Sequence, residues 1–219
     1  MNVQHIIITR STYDAQPADF KRRRRKLMSE LTGPSIAAQT APVLWSILCG
    51  QNETGVGAEF GARCTHRKGR NWWAAAVEPH ILPDTTHVLT TRMDDDDVLA
   101  PDFCARVQRL VDPAITVPTL FILPYGYRAD LATGRCQPSY HTANQFCSVL
   151  STVRAKRHAL GEKHGKMPRV FRTLHVDNQP AWVWTRHKDA KSPGGRKTMH
   201  HNLSEITDVF PCLKAYCRN

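Results

Sequence analysis

Four consecutive aspartates, Asp94 to Asp97, interrupt an otherwise basic chain at a point where one regular element gives way to another. Ahead of them, His87-Val88-Leu89-Thr90-Thr91 is rich in β-branched residues and reads as a buried strand. Behind them, Val98-Leu99-Ala100-Pro101-Asp102-Phe103 reads as the start of a helix, with Pro101 suited to its first turn. Phe103, Val107, Leu110 and Val111 then recur at the spacing of one buried helical face. The carboxylates are therefore expected at the carboxyl end of a strand, the edge of an open α/β sheet where ligands bind. Adjacent like charges repel one another, so the cluster has to face something positive. Mg²⁺ or Mn²⁺ shared with a substrate diphosphate would serve, and a solvated acidic turn is the plainer alternative.

The rest of the first half alternates strands with helices. Val3 to Thr9 and Val43 to Leu48 are short and almost continuously apolar, as in a sheet covered on both faces, and a helix is expected from Phe20 to Leu31 before a Gly33-Pro34 break. Residues 50 to 71 read as connection, Trp72 to Val77 as a short helix, and Thr119 to Leu123 as a further strand turned by Pro124-Tyr125-Gly126-Tyr127. The second half is less regular. Asn144 to Leu150 is apolar enough to pack, and Leu174-His175-Val176-Asp177 reads as a strand ending in a carboxylate. Trp182 and Trp184 share one face of an extended segment, either as core or as a platform for sugar rings, and Ser192-Pro193-Gly194-Gly195 marks a candidate mobile loop.

At 219 residues and 41% apolar content, the chain can bury one substantial core, and a second independent domain is not expected. A formal charge of +11 implies anionic partners: nucleic acid, an anionic lipid surface or a nucleotide diphosphate. The run from Lys21 to Lys26 fits a peripheral membrane or nucleic-acid contact, or the wet face of a helix. No signal peptide or membrane span is apparent, and seven cysteines without a Cys-x-x-Cys pair argue against a complete disulfide framework, so a cytoplasmic protein is expected.

Taken in order, Ile6-Ile7-Ile8-Thr9-Arg10, Pro34-Ser35-Ile36-Ala37-Ala38-Gln39-Thr40, Thr90-Thr91-Arg92-Met93-Asp94-Asp95-Asp96-Asp97 and Trp184-Thr185-Arg186-His187 resemble the rhamnosyltransferase family, glycosyltransferases of GT-A fold. The likeness spans most of the chain, and Thr-Arg-x-Asp-x-Asp-Asp is its specific part. It implies a Rossmann-like α/β fold with a mixed, mainly parallel central sheet flanked by helices. It also implies a single domain over 1–219, with a nucleotide-sugar-binding half (1–111) and an acceptor-binding half (112–219). The expected activity is transfer of a sugar from a UDP- or dTDP-linked donor to a glycan acceptor with inversion, assisted by Mn²⁺ or Mg²⁺ at an Asp-x-Asp motif.

Carried over by residue, the resemblance places Asp94 on the donor ribose or on metal-bound water and makes Asp96 the direct metal ligand. Asp95 is a further donor contact, Asp97 either part of the motif or a cap of the next helix, and His187 the third ligand, with His200 and His201 as alternatives. Arg10 and Arg92 would meet the nucleotide, although Arg92 could equally pair with the aspartates. Arg186, Lys188 or Arg196 would close over the diphosphate. Inversion requires a carboxylate to take the acceptor proton, and Asp177 is the preferred candidate among Asp177, Asp189, Glu205 and Asp208. The rival class is a basic nucleic-acid-binding protein or a metal-dependent nuclease, which leaves the aspartates without an account unless metal intervenes.

Overall fold

The computed structural model describes residues 1–11, 15–50, 53, 55–66, 71–188 and 199–217. Its strands in chain order are β1 (Val3–Ser11), β2 (Leu44–Cys49), β3 (Arg63–His66), β4 (His87–Asp94), β5 (Val98–Leu99), β6 (Thr119–Ile122), β7 (Tyr125–Asp130), β8 (Arg135–Tyr140), β9 (Ser148–Thr152), β10 (Arg172–His175), β11 (Trp182–Arg186) and β12 (His201–Asn202). The α-helices are α1 (Ala18–Leu27), α2 (Gly33–Ala37), α3 (Trp72–Ala76), α4 (Phe103–Gln108) and α5 (Met167–Val170).

A seven-stranded sheet has the order β10-β6-β9-β4-β1-β2-β3, and β9 alone runs against its neighbours. This is the mixed, mainly parallel sheet expected. The two halves of the chain interleave in it, because β6, β9 and β10 come from beyond residue 111. β1 shows why its sequence is apolar without a break. Ile6 and Ile8 pack with Trp73, Val77 and Val88 on one face, while Ile7 packs with Trp45, Leu89 and Phe121 on the other.

A second sheet, of order β12-β8-β7-β11-β5, was not foreseen. Tyr125 to Tyr127, read as a turn, opens β7, and residues read as connection between 50 and 71 include β3. Val98 and Leu99, read as a helix start, instead pair antiparallel with Val183 and Trp182. Their buried side chains gain a strand partner there, and α4 begins only at Phe103. The helix is also shorter than its pattern suggested. Phe103 and Val107 are fully buried but Leu110 is exposed, so the apolar stripe ends with the helix.

The Gly33-Pro34 break does not interrupt the helical path. α1 passes into a π-helical turn over Met28–Thr32, and the Gly33 N–H reaches back to the Met28 carbonyl, five residues away. That wide turn removes the demand for a donor at Pro34, which starts α2 in the first-turn position where proline is tolerated. Cys49 and Cys64 are joined as a disulfide between β2 and β3, and the other five cysteines are free thiols. Among the described residues no helix is long and apolar enough to cross a membrane.

One polar chain threads the core. The Gln108 amide donates to His5 Nδ1 at 3.1 Å, which leaves Nε2–H to donate to Thr91 Oγ1 at 2.7 Å, and Thr91 lies 2.6 Å from Ser148 Oγ. Burial lowers the pKa of His5 to about 3 and that of His158 to about 4. Both histidines take protons more readily unfolded than folded. Their contribution is complete above the ordinary histidine range near pH 6.5 and is lost as pH falls toward those values. His5 alone is expected to remove about 2 kcal/mol by pH 5, at ~1.4 kcal/mol per pH unit. Denaturant titrations at pH 7 and pH 5 check this, and His5→Gln should flatten the difference.

Candidate active site

Register carries the aspartates to the expected edge: Asp94 is the last residue of β4 and stands beside Arg10 of β1. Only Asp94 keeps an accessible carboxylate, one third exposed, and it faces Arg92 at 3.5 Å. Asp95, Asp96 and Asp97 are buried. The positive partner that the cluster demands comes from the same chain. Arg24 of α1, only 6% exposed, sends its guanidinium between the Asp95 and Asp96 carboxylates.

His187, just beyond β11, completes the group: its Nε2–H donates to Asp96 Oδ2 at 2.7 Å, and the 2.9 Å approach of Arg24 Nη1 to the same nitrogen is then a close contact and not a hydrogen bond. Burial by itself would raise the Asp96 pKa. The His187 hydrogen bond and the charge and hydrogen bond of Arg24 outweigh it and hold the carboxyl below its ordinary range. Asp97 is pushed the other way, well above that range, by burial and by the charges of Asp96 and Asp94. Its role is to clamp: Oδ1 accepts from the Thr185 N–H at 2.9 Å and Oδ2 from the Gln145 amide at 2.8 Å, while Thr185 Oγ1 donates to the Asp96 carbonyl at 2.6 Å. Those bonds lock β11 to the acidic turn and hold His187 against Asp96. Asp97 is therefore not a helix cap.

Two cavities are lined by partners of this turn: Arg10 and Arg92, beside Asp94, in one, and Gln145, bonded to Asp97, in the other. One, of about 290 Å³, is bounded by Arg10, Trp72, Arg92, Leu160, Gly161, Glu162 and Lys163. Within it the Arg92 Nε is buried and has no hydrogen-bond partner among the described residues. The other, of about 260 Å³, is bounded by Arg128, His141, Gln145, His164 and Trp184. His164 lines the second cavity, its neighbour Lys163 lines the first, and burial together with Arg92 lowers its pKa.

Among the residues singled out from sequence, Asp96 and His187 are brought together, Arg10 and Arg92 share a cavity, and Asp94 sits with Arg92. The ligand trio Asp94, Asp96 and His187 is not assembled. Among the described residues no three His, Cys, Asp or Glu side chains converge as a metal-binding group, because Asp94 turns to Arg92. Asp95 meets Arg24. On β11 the alternation of side chains puts Arg186 on the face of Trp184, opposite Thr185 and its acidic turn, and Lys188 is exposed in the turn beyond.

Asp177 departs furthest from expectation. It lies past the end of β10, and at ~4.8 Å per strand that is roughly 14 Å across the sheet from β4. Both of its oxygens are engaged by Arg106 of α4, whose guanidinium also holds the Gln179 and Pro180 carbonyls. Burial would raise its pKa, but the Arg106 hydrogen bonds, with that of the Gln179 N–H, lower it. A carboxylate held this way is a weak base, and its work is to fasten the β10–β11 connection to α4. His201 sits on β12, at the far edge of the second sheet, and pairs with Glu205, which also closes a capping box with Asn202. Asp189, Arg196, residues 67–70 of the connection and the Ser192-Pro193-Gly194-Gly195 break lie outside the described residues.

Sequence reasoning missed Arg24, although a signal was present. Phe20, Arg24, Leu27, Met28 and Leu31 fall on one helical stripe, so the arginine occupies a position on the buried face of its helix. Its neighbours behave otherwise: Arg22 and Lys26 pair with Asp19 and Glu30 at the surface, and the exposed Arg25 reaches the buried Glu53.

Residues 63–199, more than half of the chain, match the family described as "Putative rhamnosyl transferase". The chain belongs to that family. The match includes the acidic turn, the cavity-lining residues from Trp72 onward and His187, while Arg10 and Arg24 precede it. No curated protein matches. Solved structures similar to the chain include TarS of S. aureus in complex with UDP-GlcNAc (11% identity, TM-score 0.46, covering 99% of this chain and 65% of that one). They also include TarS in complex with UDP (12%, 0.45, 85% and 61%) and the inositol-1-phosphate CTP transferase of T. maritima (9%, 0.47, 99% and 98%). The chain thus spans less than two thirds of the length of the TarS structures that it resembles.

Proposed function

We propose that the protein is a glycosyltransferase that moves a sugar, rhamnose on the family's description, from a UDP- or dTDP-linked donor to a glycan hydroxyl. The observation that carries this reading is the meeting of Asp96 and His187 at the carboxyl edge of a mainly parallel sheet, next to the cavity walled by Arg10 and Arg92. Arg10, Arg92 and Lys163 supply cations for a diphosphate, Trp72 an apolar ring for the nucleotide base, and Asp94 an acceptor for a ribose hydroxyl.

A carboxylate and an imidazole meeting at one point suit Mn²⁺ or Mg²⁺, and Asp96 and His187 are the residues that would hold it. When bound, such a cation neutralises the charge that develops on the departing diphosphate. Arg24 already brings a guanidinium to the same Asp96 oxygen, so the two compete for it. His164, an imidazole in place of the carboxylate expected from the resemblance, is the group placed to take the acceptor proton: it lines the second cavity, its chain neighbour Lys163 lines the first, and burial with the charge of Arg92 lowers its pKa, which favours the neutral ring.

Calorimetric titration with UDP and with dTDP, with and without Mn²⁺, tests the donor site. Nucleotide binding should require Mn²⁺, and Asp96→Ala should weaken it beyond the ~10- to 100-fold loss typical of outer-shell changes at metal sites. Absence of binding under every condition, or metal-independent binding unchanged in the variant, would overturn the reading.

A further inference from the structure

The second cavity has a chemistry of its own. Trp182 and Trp184, which share a strand face, have different fates. Trp182 is buried, stacks on Phe146 at 5.0 Å and donates to the Leu123 carbonyl. Trp184 is only half-buried and forms a wall of the cavity, with the Arg128 guanidinium 4.8 Å from its ring centroid. Aromatic faces of this kind stack on sugar rings. The cavity, somewhat below the ~300–1,000 Å³ of sites for drug-sized ligands, matches a single ring.

The charge is one-sided. The cavity lining contains Arg128, His141 and His164 and no carboxylate. A guanidinium can only donate, so the 2.7 Å contact between Arg128 Nη2 and His141 Nε2 requires that imidazole nitrogen to accept, and the ring is then neutral. Burial and Arg128 lower the His141 pKa in agreement. Arg128 Nε is buried without a hydrogen-bond partner, and Arg128 forms no ion pair with an acidic group among the described residues. A partly buried cation in this state is stabilised by an anion delivered from outside. Strand alternation adds Arg186 to the Trp184 face of β11.

We propose that this cavity is the acceptor subsite and that it selects a sugar bearing an anionic group, a carboxylate or a phosphate. The ring lies on Trp184, the anion meets Arg128, and a hydroxyl is presented to His164, whose chain neighbour Lys163 lines the donor cavity. The assignment of the ligand as acceptor rests on the glycosyltransferase reading above, but the preference of the cavity for anionic sugars does not.

Tryptophan fluorescence or saturation-transfer NMR with three probes separates these possibilities: methyl β-glucuronoside, glucose 6-phosphate and neutral methyl β-glucoside. At least one anionic probe should bind ten-fold or more tightly than the neutral one, and which of the two does so distinguishes a carboxylate from a phosphate. Arg128→Met should abolish the preference, whereas Arg10→Met, in the other cavity, should leave it intact. Arg128→Gln serves if the methionine variant does not fold, as judged by its melting curve. Equal binding of charged and neutral probes, no saturable binding of either anionic probe, or a preference that survives loss of Arg128 would each overturn the proposal. Titration of the same samples with UDP or dTDP and Mn²⁺ reports on the donor site separately. Anionic sugar binding without nucleotide binding would uphold the subsite and sink the glycosyltransferase reading, and nucleotide binding without anion preference would do the reverse.

Discussion

Arg24→Met is expected to destabilise the fold by about 3–5 kcal/mol, the cost of removing one partner from a buried ion-pair group. The guanidinium is the cation placed between Asp95 and Asp96, both of which are buried, and methionine fills much of its volume without its charge. Denaturant unfolding at pH 7 would read the loss as a lower midpoint. Two further measurements identify its origin. Combining Arg24→Met with Asp95→Asn and Asp96→Asn should recover most of the stability, because the uncompensated charges leave with their partner. Adding Mn²⁺ to the single variant should also recover stability, by ~2.7 kcal/mol at a hundred times the dissociation constant, since the carboxylate and imidazole are then free of the competing guanidinium. A variant as stable as the parent, or one indifferent to both rescues, would show that Arg24 is not the counter-ion of this turn.

Gly126→Ala is expected to cost about 3 kcal/mol, the upper end of the usual range for overpacking. Gly126 lies on β7 beside Trp182 on β11, and a Cβ at this position would run into the Trp182 ring and its carbonyl oxygen. The ring is held by its stack on Phe146 and its hydrogen bond to Leu123, and the carbonyl belongs to a paired strand, so neither can step aside. A lower unfolding midpoint with an unchanged m-value is the expected signature. Because Trp182 and Trp184 stand on one strand, the same substitution should also weaken sugar binding on Trp184. An alanine variant with parental stability would mean that the two strands can separate locally without loss.

Regular elements with a long apolar signal were legible from their own residues. β1, β2, β4 and α3 fall on the segments Val3 to Thr9, Val43 to Leu48, His87 to Thr91 and Trp72 to Val77, the strands because a strand covered on both faces has to be apolar throughout. The second sheet was not legible. Tyr125 to Asp130 and Arg135 to Tyr140 carry only a weak alternation, and β5 is two residues long; each becomes a strand because a neighbour supplies its hydrogen bonds.

The amino-acid sequence by itself determined that the acidic run would end a buried strand at the carboxyl edge of the sheet, and that it would require a positive partner. Both follow from local properties, strand propensity and like-charge repulsion. Only the tertiary structure decided which cation that partner is and which residue closes the group. Arg24 lies 71 residues before Asp95 and His187 lies 91 beyond Asp96, separations over which sequence spacing carries no geometric information. The tertiary structure likewise turned Asp177, plausible as a base from its position after an apolar segment, into the partner of Arg106 on α4. Side chains distant in sequence were brought together by the packing of the helices and the second sheet on the main sheet, and burial then decided which charges had to pair and which could remain accessible to a ligand.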